Sequence, residues 1–203
     1  FFVNNDGSTK GFNNQVTQVI RQDDGKLLCI GSFTKFSDTE ANGIIRLNAD
    51  GSVDTTFQIP KLIKFVNSSY QNASVFAAAL QSDGKILLSG DFGYWTSFTT
   101  AITQMIRLNP DGTRDTTFTL GYPNGDIRSI LITSDNKIVV GGAFTSIGGV
   151  AKNRVAVIGS TGALDNTFDV STATVNNTVF KIVDAGNGKL FVTGGFTGGI
   201  VKV

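Results

Sequence analysis

Apolar residues along this chain come in short runs that alternate with polar, glycine-bearing turns, and the runs fall at fixed distances from one another. The run from Val75 to Gln81 leads into Ser82-Asp83-Gly84-Lys85 and then into a second run, Ile86 to Ser89. Runs this short, bounded by turn residues and lacking helical periodicity, predict β-strands buried on both faces. Asp followed by Gly suits a tight hairpin, because Gly accepts φ > 0 without a Cβ clash. The same hairpin is written at Asp24-Gly25, Asp135-Asn136 and Asn187-Gly188, with second strands over Leu27 to Ile30, Ile138 to Gly141 and Leu190 to Thr193. Asn136 replaces Gly in one copy, and Asn is the side chain that best tolerates the left-handed region, so the exception also predicts a turn.

The landmarks of this pattern keep register. Lys26, Lys85, Lys137 and Lys189 are each followed seven positions later by Phe33, Phe92, Phe144 and Phe196, and each preceded ten positions earlier by Val16, Val75, Ile127 and Val179. Gly25 and Gly84 precede the first two lysines. Gly31, Gly90, Gly142 and Gly195 read as strand-end glycines that permit close backbone approach, with the phenylalanine anchoring the core of each unit. A third strand follows at Ile44 to Asn48, Met105 to Asn109 and Ala156 to Gly159. It leads into a turn that runs Asp50-Gly51-x-x-Asp54-x-x-Phe57, Asp111-Gly112-x-x-Asp115-x-x-Phe118 and Thr161-Gly162-x-x-Asp165-x-x-Phe168.

Three or four antiparallel strands repeated at about 50 residues describe a unit that cannot bury its apolar face alone and must stack on its neighbours. The predicted fold is therefore all-β, a β-propeller. It reads as a single array over 1–203, with a partial repeat at 1–12, repeats at 13–57, 58–118 and 119–168, and an incomplete one at 169–203. Phe1 to Phe12, FFVNNDGSTKGF, reads like the third strand and turn missing from the last copy. Either this strand completes the last blade and closes the ring, or the chain is a window on a longer array.

The segments GKLLCIGSF, GKILLSGDF and NKIVVGGAF, followed by RLNADGSVDTTF and RLNPDGTRDTTF, resemble the delta-60 repeat family of bacterial β-propellers. That resemblance implies a propeller in a large secreted, surface or virion-associated protein, and it supplies no catalytic residues. Copy three departs from the pattern, with Val157 in the column of Arg46 and Arg107 and Thr161 in the acidic column.

Composition narrows the function. Seventeen Lys plus Arg balance sixteen Asp plus Glu, with no basic block to follow a phosphate backbone, so nucleic acid is not an expected partner. No stretch approaches the roughly 20 apolar residues of a membrane helix. With no histidine and a single cysteine, Cys29, the usual zinc sites, His-based triads and internal disulfides are excluded. Cys29 lies in an apolar strand and reads as a buried, inert thiol. The Gly-, Thr-, Asn- and Phe-rich balance fits an extracellular, cell-surface or virion protein.

Candidate chemistry is sparse, and no cofactor is expected. Asn48-x-Asp50-Gly51-x-x-Asp54 resembles part of a calcium loop, but the first carboxylate is lost in copy three, so a turn-closing aspartate is the preferred reading. Arg46 and Arg107, recurring in step, are expected to pair with Asp54, Asp115 or a neighbouring blade. Features that do not repeat are better functional candidates. Copy two carries insertions at Ile59 to Asn72 and Gly93 to Gln104, with Tyr70, Tyr94, Trp95 and Phe98. These aromatics either stack on a sugar ring or anchor a protein partner, or Trp95 folds under its loop and packs on the rim. Asn67, Asn72 and Asn176 begin Asn-x-Ser/Thr triplets. The sequence is thus read as a non-enzymatic scaffold or adhesion module that contacts protein or surface glycan through loops of copy two. The alternatives are a carbohydrate-active enzyme using acids such as Asp38, Glu40 or Asp91, and a calcium-dependent module.

Overall fold

A computed structural model describes residues 2–3, 9–66, 69–95, 100–102, 104–170, 175–186, 188–196 and 200–202. All regular structure among them is β, as the sequence predicts. Four three-stranded antiparallel sheets follow one another along the chain. The first is built from Val16–Arg21, Leu27–Gly31 and Ile44–Leu47. The second uses Ser74–Leu80, Ile86–Asp91 and Met105–Leu108. The third uses Ile127–Ile132, Ile138–Gly142 and Val155–Ile158, and the fourth Val179–Gly186, Lys189–Gly194 and Ile200–Lys202. In every sheet the second strand is central.

The hairpin signals become the expected turns, with Gly25 and Gly84 at φ 85° and 79° and Asn136 at φ 65°. The strand-end glycines have a sharper cause. Val16, Val75, Ile127 and Val179 pair with Gly31, Gly90, Gly142 and Gly194, and the register shifts just after each of these pairs. That bulge brings a carbonyl onto the glycine: a Cβ at Gly31, Gly90, Gly142 or Gly194 would lie 1.9–2.1 Å from the oxygen of Gln15, Ser74, Asp126 or Thr178. Only Gly fits there. The fourth member of the column is Gly194, which corrects the reading of Gly195. The phenylalanine two residues on is buried in every unit, Phe33 and Phe144 completely.

Alternation along each strand sends one set of side chains to the preceding sheet and the other to the following one. Leu28, Ile30 and Ile44 of sheet one meet Val75, Ala78, Ile86 and Leu88 of sheet two. Ala77, Leu87 and Met105 meet Ile127, Ile130 and Ile138, and Val139 and Val155 meet Val179, Ile182 and Val192. The core is therefore three layers between successive sheets. A fourth cluster, Cys29, Phe33, Ala41, Ile45 and Leu47 with Phe12 and Phe36 packed on it, lies on the other face of sheet one.

Two expectations are corrected. The third place in sheet four is filled by Ile200–Lys202, so no strand is missing there, and Phe2–Val3 pairs with Thr9–Lys10 in a separate two-stranded sheet. The copy-two insertions are not loops. Thr100–Ile102, Gly93–Trp95, Leu62–Val66 and Ser69–Asn72 form one four-stranded sheet in that order. Units one and three carry a small counterpart after the phenylalanine, Lys35–Phe36 with Thr39–Glu40 and Ser146–Ile147 with Val150–Ala151. Among the described residues, what sets copy two apart from units one and three is the size of this side sheet.

Candidate functional site

The most regular polar constellation is a staple repeated along the array. Arg46 donates from Nε to Asp54 Oδ2 at 2.8 Å and from Nη1 to the carbonyl of Pro110 in the next unit at 2.6 Å. Its guanidinium lies 4.2 Å from the Phe57 ring centroid, a cation–π contact. Lys26 Nζ stands 3.1 Å from the same Asp54 oxygen. The second unit copies this arrangement: Arg107 to Asp115 at 2.8 Å, Arg107 to the Ser160 carbonyl at 2.6 Å, Lys85 to Asp115 at 3.1 Å, and Arg107 over Phe118 at 4.9 Å. The expected pairing is present, and each arginine serves its own aspartate and the neighbouring unit at once. The motif lysine, read from sequence only as a landmark, is a second counter-ion.

Asp54 and Asp115 also close their turns, accepting at Oδ1 from the backbone N–H and hydroxyl of Thr56 and Thr117. The Thr56 hydroxyl above all, then Lys26 and Arg46, holds the Asp54 carboxyl well below the usual carboxylate range against the cost of burial. For Asp115 burial pushes upward most strongly, and the bonds from Thr117, Lys85 and Arg107 together outweigh it, leaving the carboxyl well below its ordinary value.

Copy three solves the same problem differently. Val157 leaves Asp165 without an arginine, and Thr167 alone closes the turn through both of its donors. Lys152 supplies the cation: it is buried and donates from Nζ to the carbonyls of Asp165 and Phe168 at 2.9 and 2.6 Å. Its place in the first unit is held by Ala41, since both backbone amides bond the equivalent carbonyl, Thr145 and Thr34. The sequence reading missed this exchange; the paired signal, Ala41 to Lys152 and Arg46 to Val157, is visible only once the loops are aligned. Lys137 pairs with Asp135 at 3.2 Å at the surface, and Lys189 is exposed.

The turn acids read as a partial calcium loop are engaged locally. Asp50 Oδ1 accepts from Ser52 N–H and Oγ at 2.9 and 2.7 Å, and Asp111 does the same with Thr113. Among the described residues no group of three or more His, Cys, Asp or Glu side chains converges as metal ligands would. Of the acids raised for hydrolysis, Glu40 pairs with Lys35 at 3.1 Å and Asp91 pairs with Lys64. Burial raises the Cys29 thiol to about 11, so it is protonated at neutral pH.

The aromatics of copy two come together in part. Tyr70 lies on the outer strand of the side sheet and is 55% exposed, on a strand whose residues are all exposed. Tyr94 and Trp95 lie on the strand paired with Thr100–Ile102; their side chains, and Phe98 altogether, fall outside the described residues. One concavity was not anticipated. Thr17, Phe76, Arg128 and Phe180, one from the first strand of each sheet at equivalent positions, line a cavity of about 200 Å³. Arg128 lies over Phe76 at 5.3 Å and pairs with Asp126 at 2.7 Å.

Comparison with known proteins agrees with this architecture. The model of a β-propeller domain of unknown function, DUF5122, matches residues 22–57, 81–118 and 133–168. Among curated proteins none matches. A solved structure of the extracellular domain of BT4673 from B. thetaiotaomicron, described as a one-component system, superposes with a TM-score of 0.58 at 16% identity, covering 94% of this chain and 22% of that one. A second structure of that domain, described as a hybrid two-component system, gives 0.55 at 16% identity over 89% of this chain and 20% of that one. This chain thus spans about a fifth of their length, and at such identity the likeness shows the fold.

Proposed function

Because the chain belongs to the DUF5122 β-propeller family, a domain of unknown function, we propose that it is a non-enzymatic recognition module working outside the cell, on a cell or virion surface, and binding protein or surface glycan through the side sheet of its second unit. The observation that carries this reading is the enlargement of that sheet. Its counterparts in units one and three are two-residue hairpins, so the scaffold does not need four strands there. Ser69–Asn72 is an exposed outer strand, and Tyr70 offers an apolar body with a polar tip, the chemistry enriched where proteins meet partners. The extracellular setting is supported by the structural neighbours, which are extracellular domains, and by the Gly- and Thr-rich composition.

The test is a surface-glycan array together with candidate surface proteins, probed with the wild-type chain and with Tyr70→Ala and Trp95→Ala. A bound glycan or protein should lose about tenfold or more in affinity on either change, at unchanged melting temperature. Equal binding by both variants rules the side sheet out.

A further inference from the structure

The register shift in the first hairpin of each unit leaves one residue of the first strand out of the ladder: Thr17, Phe76, Arg128 and Phe180. A bulge re-aims its side chain, and here it sends that side chain out of both packing layers. Val75 packs against sheet one and Ala77 against sheet three, while Phe76 between them belongs to neither cluster. The four bulge residues line the cavity of about 200 Å³ instead. Their frame is constant, Val or Ile before the bulge and Gly paired with it, yet the bulge itself is Thr, Phe, Arg and Phe. Unlike residues held in one repeated frame are what a single site assembled from several units requires. Phe76 and Arg128 stand in sheets packed on both sides, so their access to the cavity comes from the bulge.

We propose that this cavity holds one neutral sugar ring, gripped by Arg128 and Asp126 and seated on Phe76 and Phe180. Size favours a single ring, since about 200 Å³ falls below the roughly 300–1,000 Å³ of pockets for larger ligands. Arg128 donates from Nη2 to Asp126 Oδ2 at 2.7 Å, a bond that uses one of five guanidinium N–H donors and one carboxylate oxygen. Donors and an acceptor thus stand side by side, and adjacent hydroxyls of a sugar, each donor and acceptor at once, satisfy both. Charge selects further. The ion pair is neutral as a unit, so an acid gains little from Arg128 that it does not lose to Asp126. The guanidinium stacks over Phe76 at 5.3 Å, which fixes its plane. Phe180 is 55% exposed and offers an apolar face on which the C–H side of a pyranose packs. Thr17 borders the ring without holding it, its hydroxyl being engaged by the carbonyls of Ile30 and Val75 at 3.2 Å. The site shares no residue with the side sheet of the second unit and stands independently of it.

Saturation-transfer difference NMR tests this, with the methyl glycosides of glucose, galactose, mannose and N-acetylglucosamine as probes and glucuronate as the charged control. At least one neutral glycoside should receive saturation at its ring protons from the wild-type chain. Arg128→Ala and Phe180→Ala should each weaken that binding about tenfold or more, with unchanged far-ultraviolet circular dichroism, because both side chains are exposed. Arg128→Gln and Phe180→Leu form a milder pair should alanine disturb folding. Tyr70→Ala should leave the signal as it is, which separates this site from the side sheet. A wild-type chain that binds none of the neutral glycosides overturns the proposal. So does equal binding by the Arg128 and Phe180 variants, a preference for glucuronate over every neutral glycoside, or a loss on Tyr70→Ala alone.

Discussion

At Arg107 one guanidinium meets a carboxylate, an aromatic face and a main-chain carbonyl of the following unit. Asp115 is 5% exposed, so an Arg107→Ala variant leaves a buried carboxylate with Lys85 as its remaining cation and frees the Ser160 carbonyl. Losing one member of a buried pair costs about 3–5 kcal/mol, and with Lys85 in place the loss should fall near the lower end, read as a drop in the urea midpoint. Arg107→Lys should recover only part of it, because an ammonium is a point charge and cannot reach three partners from one plane. The pairing of Arg with the turn aspartate was legible in the sequence because both recur at fixed offsets. Lys152 was not: it stands in a loop of variable length, and nothing local distinguishes a buried lysine that caps two main-chain carbonyls from one in solvent.

Within the elements, the glycines separate backbone requirement from contact. Gly51 and Gly162 both sit at positive φ, 84° and 96°, a conformation that costs an L-residue about 1–2 kcal/mol. Gly51→Ala should therefore cost about that much, while Gly162→Ala adds a clash with the Thr119 backbone and should cost clearly more in a denaturant titration. Equal losses would mean that the units are not seated on one another as described. The strands themselves were readable because each is a short apolar run between turn residues. The side sheet was not, since Ile59 to Asn72 and Gly93 to Gln104 lack alternation and their pairing joins segments on opposite sides of the intervening hairpin. The bulge that makes Gly31, Gly90, Gly142 and Gly194 obligatory was hidden too, since a register shift leaves no mark but the glycine itself.

For the molecule as a whole, the staples tie sheet one to sheet two and sheet two to sheet three, so their ionisation bears on more than one junction. Asp54 and Asp115 have carboxyl groups held below their ordinary value in the folded chain. Such groups contribute stability that is complete above the unfolded value of about 3.9 and is lost as the pH falls from there through the folded values. Calorimetry should find a melting temperature that drops from about pH 4 downward, and Asp115→Asn should flatten that slope while lowering the plateau. The propeller as such was legible from self-similarity alone. The greater exposure of Val19 and Phe191 was not, because a periodic pattern gives them the same apolar character as their buried equivalents.

The staple also bears on how such arrays change over generations. Its far end grips a main-chain oxygen, offered by a proline in one unit and a serine in the next, so the side chain at the receiving position is free to drift. A unit can then be duplicated, lost or exchanged without a matching substitution in its neighbour, which leaves ornament such as the second unit's side sheet free to diverge while the joints stay interchangeable.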